Sequence, residues 1–407
     1  MIWPWRSVTA IILGSLSLPF SAFAQIDPVK RDLLQVGYNA SFEGHAPLAA
    51  YAYFYHNQPN FLATNVTLRL AVAPTYVDSE LGVSHVFSPH NDVGFGIAGG
   101  GFADSYHEIR AGKYIPAESF DGHGFESSLH LYHLFNPEQL IPLNGVLHLI
   151  GHYSTFSKTE ETAQNFELPP DHGTFMLRTG LRWGGKEPVL YPTLAMEISA
   201  WYQGEYRTAH GDYGLPNDPH TLNEYSHLFW GQALIAYTLP EWKHNIFLTL
   251  SAGTSIHADR FSVYRLGSLL PMVSEFPLSL PGYYYQELSA KNYLLIGGNY
   301  QVPLDSKQKW NVNVTASTAL IGFLPGTEEP GNWHSGVGGG FLYRTGSFKF
   351  MVGYAYGVNA IRTHGTGANS VGILIQLDMG KAKAEVFNPS VPSTWQGLQR
   401  VFGLFGS

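Results

Sequence analysis

The sequence predicts an all-β fold, a transmembrane antiparallel β-barrel of about 16 strands. Three observations predict it. The first 24 residues read as an export signal. The composition is rich in aromatics and poor in charge, yet lacks a membrane-length apolar run outside that signal. Segments of about ten residues alternate polar and apolar side chains along the whole chain, and their connections alternate long and short.

The export signal comes first. Arg6 and the amino terminus give a positive start, Val8 to Leu18 is a short apolar run, and Ala22-Phe23-Ala24 forms a small-x-small cleavage site before Gln25. That order marks a secretory signal over 1–24, too short for a membrane span. Removing Arg6 with the signal takes the formal net charge from -8 to -9. A mildly acidic chain has no electrostatic footprint for nucleic acid. The chain has no cysteine. Disulfide scaffolds, thiolate metal sites and lipidated cysteines are therefore excluded.

Composition then selects the class. Aromatics reach 14% while charged residues are only 13%, about half the charged share of a soluble domain. An exported chain of this kind, with no spanning helix, fits a barrel whose strands cross the bilayer.

The strands follow from period-two alternation. In TNVTLRLAVA, Val66, Leu68, Leu70 and Val72 oppose Asn65, Thr67, Arg69 and Ala71. In TFMLRTGLRW, Phe175, Leu177, Leu181 and Trp183 share one face, Arg178 and Arg182 the other. In NIFLTLSAGTSI, Ile246, Leu248, Leu250 and Ala252 oppose Phe247, Thr249, Ser251 and Gly253. In WNVNVTASTAL, Val312, Val314 and Ala316 oppose Asn311, Asn313, Thr315 and Ser317. In SVGILIQLDM, Val371, Ile373, Ile375 and Leu377 oppose Gly372, Gln376 and Asp378. Such segments lie near 31–44, 47–56, 64–73, 76–87, 92–108, 123–136, 143–156 and 173–184. They continue near 192–206, 225–238, 245–256, 290–303, 308–323, 334–345, 347–358 and 367–379.

The connections give an independent check. In an even-stranded barrel both chain ends face the periplasm, so connections after odd strands are the long outer loops. The stretches 109–122, 157–172, 207–224, 257–289 and 324–333 all follow odd segments. Those at 239–244, 304–307 and near Ser347 follow even ones and are short. Three outer loops are acidic: Glu160, Glu161, Glu167 and Asp171; Asp212, Asp218 and Glu224; Glu328 and Glu329. Carboxylates there can bind divalent ions that bridge lipid phosphates, but solvated loop charge is the favoured reading.

The longest connection ends in PLSLPGYYYQEL, Pro277 to Leu288. Gly282 can turn sharply, Pro281 fixes the approach, and Tyr283, Tyr284 and Tyr285 suit a packed but hydrated lumen. A long loop between the eleventh and twelfth strands of such a barrel resembles the BamA/TamA-type bacterial surface antigen superfamily. Leu280-Pro281-Gly282-Tyr283 stands where that family carries Leu/Val-Arg-Gly-Tyr/Phe, with YRLGSLLP upstream and NYLLIGGNYQVPL downstream. The likeness is best over about 257–379. It implies a loop folded back into the lumen. The last strand likewise resembles the family's barrel recognition signal, polar-x-Gly-x-x-hydrophobic-x-hydrophobic, filled by Ser370, Gly372, Ile375 and Leu377.

Two departures stand out. The family's loop arginine, which pairs with an aspartate of the thirteenth strand, is Pro281 here, and the matching strand reads Val314-Thr315-Ala316-Ser317 without an acid. Relatives carry periplasmic domains ahead of the barrel, whereas only a few residues separate Gln25 from the first strand. The expected organisation is a signal at 1–24, a barrel-only domain at 25–379 and a tail at 380–407. In the tail, Trp395, Leu398, Phe402 and Phe405 recur at helical spacing after Pro392-Ser393, as in an amphipathic helix.

No catalytic residue and no cofactor or metal is expected. His148 and His152 share a face and could ligate a metal, but no nearby acid is expected to complete a convincing set, and His130 and His133 lie on opposite faces. His210-Gly211-Asp212-Tyr213 is the nearest match to a hydrolase constellation, and a lone match of that length is weak. Arg69, Arg178, Arg182, Glu197, Arg344, Lys349 and Asp378 are expected to face the lumen, as selectivity charges or as a salt-bridged filling. The expected function is non-enzymatic, in the bacterial outer membrane. It resembles assembly or translocation barrels, with outer-membrane lipids and the barrel-assembly machinery as partners. A passive diffusion pore, or a surface enzyme acting on lipid or peptide, are the alternatives.

Overall fold

The structure, a computed structural model, describes residues 26–185, 192–270, 275–363 and 365–382. The expected export signal and the aromatic positions of the tail, Trp395, Leu398, Phe402 and Phe405, lie outside the described residues. Sixteen strands form the wall. The first eight are β1 (Arg31–Ser41), β2 (Ala49–Gln58), β3 (Val66–Ala73), β4 (Tyr76–Ser84), β5 (Asn91–Gly100), β6 (Phe120–Leu134), β7 (Leu143–Lys158) and β8 (His172–Gly185). The second eight are β9 (Leu194–Arg207), β10 (Tyr225–Thr238), β11 (Asn245–Ile256), β12 (Leu288–Pro303), β13 (Trp310–Phe323), β14 (Trp333–Arg344), β15 (Phe348–Arg362) and β16 (Gly365–Asp378).

Every strand pairs antiparallel with its neighbours, and β1 closes the ring on β16 from Leu33↔Asp378 to Ser41↔Ser370. Closure satisfies each strand's backbone without an open edge, the condition for sheet inside a bilayer. A short strand, Tyr264–Leu266, joins the same sheet by pairing with the start of β12.

The two faces follow the alternation. Leu248 and Leu250 of β11 are 51% and 46% exposed on the outside, whereas Ser251 is buried and Thr249 lines the lumen. Phe175, Leu177, Leu181 and Trp183 are likewise exposed, while Arg178 and Arg182 line the lumen. Outward apolar side chains of this density would be a liability in water and suit contact with lipid.

Strand length divides the barrel. β1 to β5 have 8–11 residues, close to the roughly 9–11 that a tilted strand needs to span the bilayer. β6 to β16 have 12–16. The excess carries the outer loops, which pack over the lumen as a dome. Its core is Tyr106, Phe120, Phe166, Tyr213 and Leu222, with Phe156 and Phe261 against them. One expectation fails here. The segment 92–108 does not stay in the sheet beyond Gly100. Gly99-Gly100-Gly101 offers no side chains to hold a strand, and Phe102 turns to φ 65°. The chain then enters the dome and forms the hairpin Ile109–Arg110 with Lys113–Tyr114.

Candidate functional site

In the longest outer loop, the described residues 257–270 and 275–287 are folded into the lumen. Leu280 and Tyr283 are fully buried, and Tyr284 is 1% exposed. Two contacts show how far the loop reaches. Leu270 packs with Ala49 of β2, Leu342 of β14, Met351 of β15 and Leu374 of β16. Five residues on, Glu275 bonds Arg182 of β8 at 2.6 Å. Phe276 sits edge-on against Trp201 of β9 and Trp230 of β10, at 5.2 and 5.6 Å. In a ring of sixteen strands, β16 and β8 are opposite walls, so Leu270 and Glu275, the two described flanks, rest on facing sides of the lumen.

The tip has its own seat. Gly282 adopts φ +85°, where a Cβ would strain and would also strike the Gly357 backbone. A Cβ at Gly336 would strike the Pro281 carbonyl oxygen. Glycines on both surfaces thus allow backbone-to-backbone approach. The Tyr283 hydroxyl lies 3.2 Å from His334 Nδ1. The Tyr284 hydroxyl donates to the Glu43 carbonyl at 2.8 Å.

Charge fixes the same corner. Arg362, at the end of β15, forms a two-pronged bond to Glu287, 2.6 Å to Oε1 and 3.0 Å to Oε2. Its guanidinium stacks 3.8 Å from the centre of the Tyr284 ring. Glu287 also accepts the Tyr284 backbone N–H at 2.6 Å. Both charged side chains are almost wholly buried, at 3% and 0% exposure. Glu329, from the outer loop between β13 and β14, accepts the Gly112 N–H at 3.2 Å. Its second oxygen has no hydrogen-bond partner. Burial first, and the charge of Glu287 second, push the Glu329 carboxyl up to about 8.

Below the loop lies a cavity of about 1760 Å³. Its lining runs from Asp27 and Arg31 beside the periplasmic turns to Glu275, Pro277 and Ser279 of the loop. Charges on its wall are paired. Arg69 takes Asp78 at 2.8 Å and Glu80 at 3.2 Å. Arg178 takes Gln203 at 2.8 Å and faces Glu275. Arg182 reaches Glu197 at 3.5 Å and lies over Trp201. The other three named charges sit apart, toward the periplasmic rim. Arg344 donates to the carbonyl and side chain of Gln308, Lys349 is cross-strand neighbour to Arg344 and Gln376, and Asp378 is 3.2 Å from Lys381.

The remaining expected residues are placed as follows. In β16, Ser370 is fully buried opposite Ser41, and Gly372 faces Leu269 and Leu270 of the loop. Ile375 and Leu377 pair with Val36 and Leu34 on the outward face. His210 and Asp212 lie exposed in an outer hairpin, where Asp212 bonds Thr221. His148 and His152 take different neighbours. His148 stacks 4.0 Å from His130, and His152 bonds Asp104 at 2.8 Å. That acid was invisible to a reading confined to nearby residues. Arg362 and Glu287 were missed too. Glu287 lies within the quoted loop stretch, but nothing local marks Arg362, 75 residues later.

No protein-family model matches the sequence, and no curated protein matches it. Solved structures do share the fold. CdiB from Acinetobacter baumannii aligns with TM-score 0.55 at 11% identity, over 86% of this chain and 60% of that one. CdiB from Escherichia coli aligns with TM-score 0.55 at 12% identity, over 86% and 63%. BamA from Haemophilus ducreyi lacking POTRA domains 1-3 aligns with TM-score 0.53 at 12% identity, over 91% and 78%. The chain thus spans less than two thirds of either CdiB chain. These neighbours are barrels of the BamA/TamA-type superfamily, and at such identity the likeness is one of fold.

Proposed function

We propose that the protein is a non-enzymatic outer-membrane barrel acting in transport across, or assembly of, that membrane, with a lumen held shut at rest by residues 257–287. The observation that carries this reading is the seating of the loop's described flanks on facing walls, Leu270 against β16 and Glu275 against β8, with its tip locked by Glu287 and Arg362. The lining supports it. Arg69, Arg178, Arg182 and Glu197 meet opposite charges, as in a packed filling, whereas an ion path needs charge free to act on the passing ion.

The buried pair also answers the missing loop arginine. Where the resembling family puts arginine on the loop and acid on the wall, Glu287 is on the loop and Arg362 on the wall. We read this as the same architectural anchor with its signs exchanged. Ser370, Gly372, Ile375 and Leu377 are proposed as the signal read by the barrel-assembly machinery, and the outward apolar belt as the lipid contact.

Planar-bilayer recording tests the reading. Wild-type protein should give little steady current, and deletion of 268–285 should open a large one. Large steady wild-type currents, unchanged by the deletion, would sink it in favour of a diffusion pore.

A further inference from the structure

Two outer loops meet over the lumen through a cluster that the proposed function does not use. Glu118 ends the short turn Pro116–Glu118, between β5 and β6. Asp218 and His220 lie two residues apart on the strand Asp218–Leu222, in the loop between β9 and β10. That spacing sends both side chains to one face. One ligand atom from each of the three residues falls within 4.8 Å of the others.

Two of these side chains are buried without hydrogen bonds at the facing atoms. Glu118 and His220 are each 6% exposed, and neither Glu118 Oε2 nor His220 Nε2 has a hydrogen-bond partner. They lie 3.4 Å apart. That is long for a hydrogen bond. It matches the ligand-to-ligand edge of about 3.3 Å in a tetrahedral zinc site with bonds of about 2.0–2.1 Å. Leaving two buried polar atoms unmet is costly, and an ion between them would meet both.

Arg110 arranges the rest. Its guanidinium bonds Glu118 Oε1, and Asp218 Oδ2 at 2.6 Å. It therefore holds both carboxylates in place, as outer partners of metal ligands do. Its charge is shared with Glu108, 3.2 Å away, which also takes Arg260 at 3.0 Å. Three carboxylates face two guanidiniums, so the pocket keeps an excess of negative charge for a cation.

We propose that Glu118, Asp218 and His220 form a zinc site that staples the 101–119 loop to the 208–224 loop over the lumen. Glu118 Oε2, a carboxylate oxygen of Asp218 and His220 Nε2 are the protein ligands, and water takes the fourth position. Asp218 is half exposed, which gives the ion its way in.

The full chain, folded in detergent and stripped with chelator, is titrated with zinc chloride and with cobalt(II). Uptake of one ion per chain is expected, with the visible bands of four-coordinate cobalt, and with zinc protecting both loops from protease. His220→Ala should weaken uptake at least tenfold. So should Asp218→Asn, a milder change at an exposed position that guards against misfolding. His257→Ala, an exposed outer histidine, should change nothing. Absence of stoichiometric uptake by folded wild type, or equal uptake by a folded His220→Ala barrel, overturns the proposal and leaves Glu118 and His220 as an ion pair alone.

Discussion

Arg362 and Glu287 hold the loop tip where no solvent can replace either partner. Removing one charge of a buried pair strands the other, at about 3–5 kcal/mol. Arg362→Ala should therefore lower the thermal midpoint of the folded form, seen as heat-modifiable gel migration, and free the loop to protease. Glu287→Leu with Arg362→Met should recover most of that loss, because matched apolar groups strand no charge. Failure of the double variant to recover would give the pair a role beyond mutual neutralisation. Glu329 adds a pH dependence with a definite sign. Its carboxyl is raised from about 4.5 to about 8, so the closed form keeps a proton that an opened form releases. The contribution to closure is thus full at low pH and lost as pH rises from about 4.5 through about 8, at up to about 1.4 kcal/mol per pH unit. The groups around it are Glu287, Arg362, His334 and the Gly112 N–H. Protease nicking of the loop should increase across that window in wild type and stay flat in Glu329→Gln. An identical slope in both would assign the dependence to another group.

Elements were the most legible part of the sequence, and their limits are instructive. Period-two alternation placed sixteen strands in order because each wall strand has one face in lipid and one in the lumen. It overran after Gly100, where glycines keep the pattern permissive but cannot hold the sheet. The inward loop was legible only as a place, through its length and the Pro-Gly turn. Its seat depends on glycines of distant strands, which sequence spacing does not reveal. Gly336→Val tests that seat at the level of the element. The barrel should fold, since β14 still pairs on both sides. The loop tip should lift, because the new side chain meets the Pro281 carbonyl. Trypsin or a broader protease should then cut within 257–287. Gly282→Ala should act the same way, costing about 1 kcal/mol or more at a left-handed φ. Resistance equal to wild type in both variants would show that the tip does not rest on these glycines.

At the scale of the whole molecule, the proposed closure divides the cavity from the outside by means of a closed ring, an outer aromatic dome and an in-folded loop. Closure then rests on few points: Leu270 on one wall, Glu275 and Phe276 on the other, and the buried pair at the tip. The sequence could not disclose that division, since each point joins residues far apart in the chain and polar or apolar by local necessity alone. The chain has no cysteine, which makes a direct test clean. A Cβ at Gly372 would lie 3.1 Å from Leu270 Cγ, within the reach of a disulfide after slight adjustment. The measurement is therefore oxidation of the Leu270→Cys/Gly372→Cys double variant, folded in membranes, followed by non-reducing electrophoresis. A crosslink that forms in high yield in the folded barrel, and disappears on reduction, is the result expected of a loop lying across the lumen. Two free thiols in a folded barrel, both open to a membrane-impermeant maleimide from outside, would contradict it.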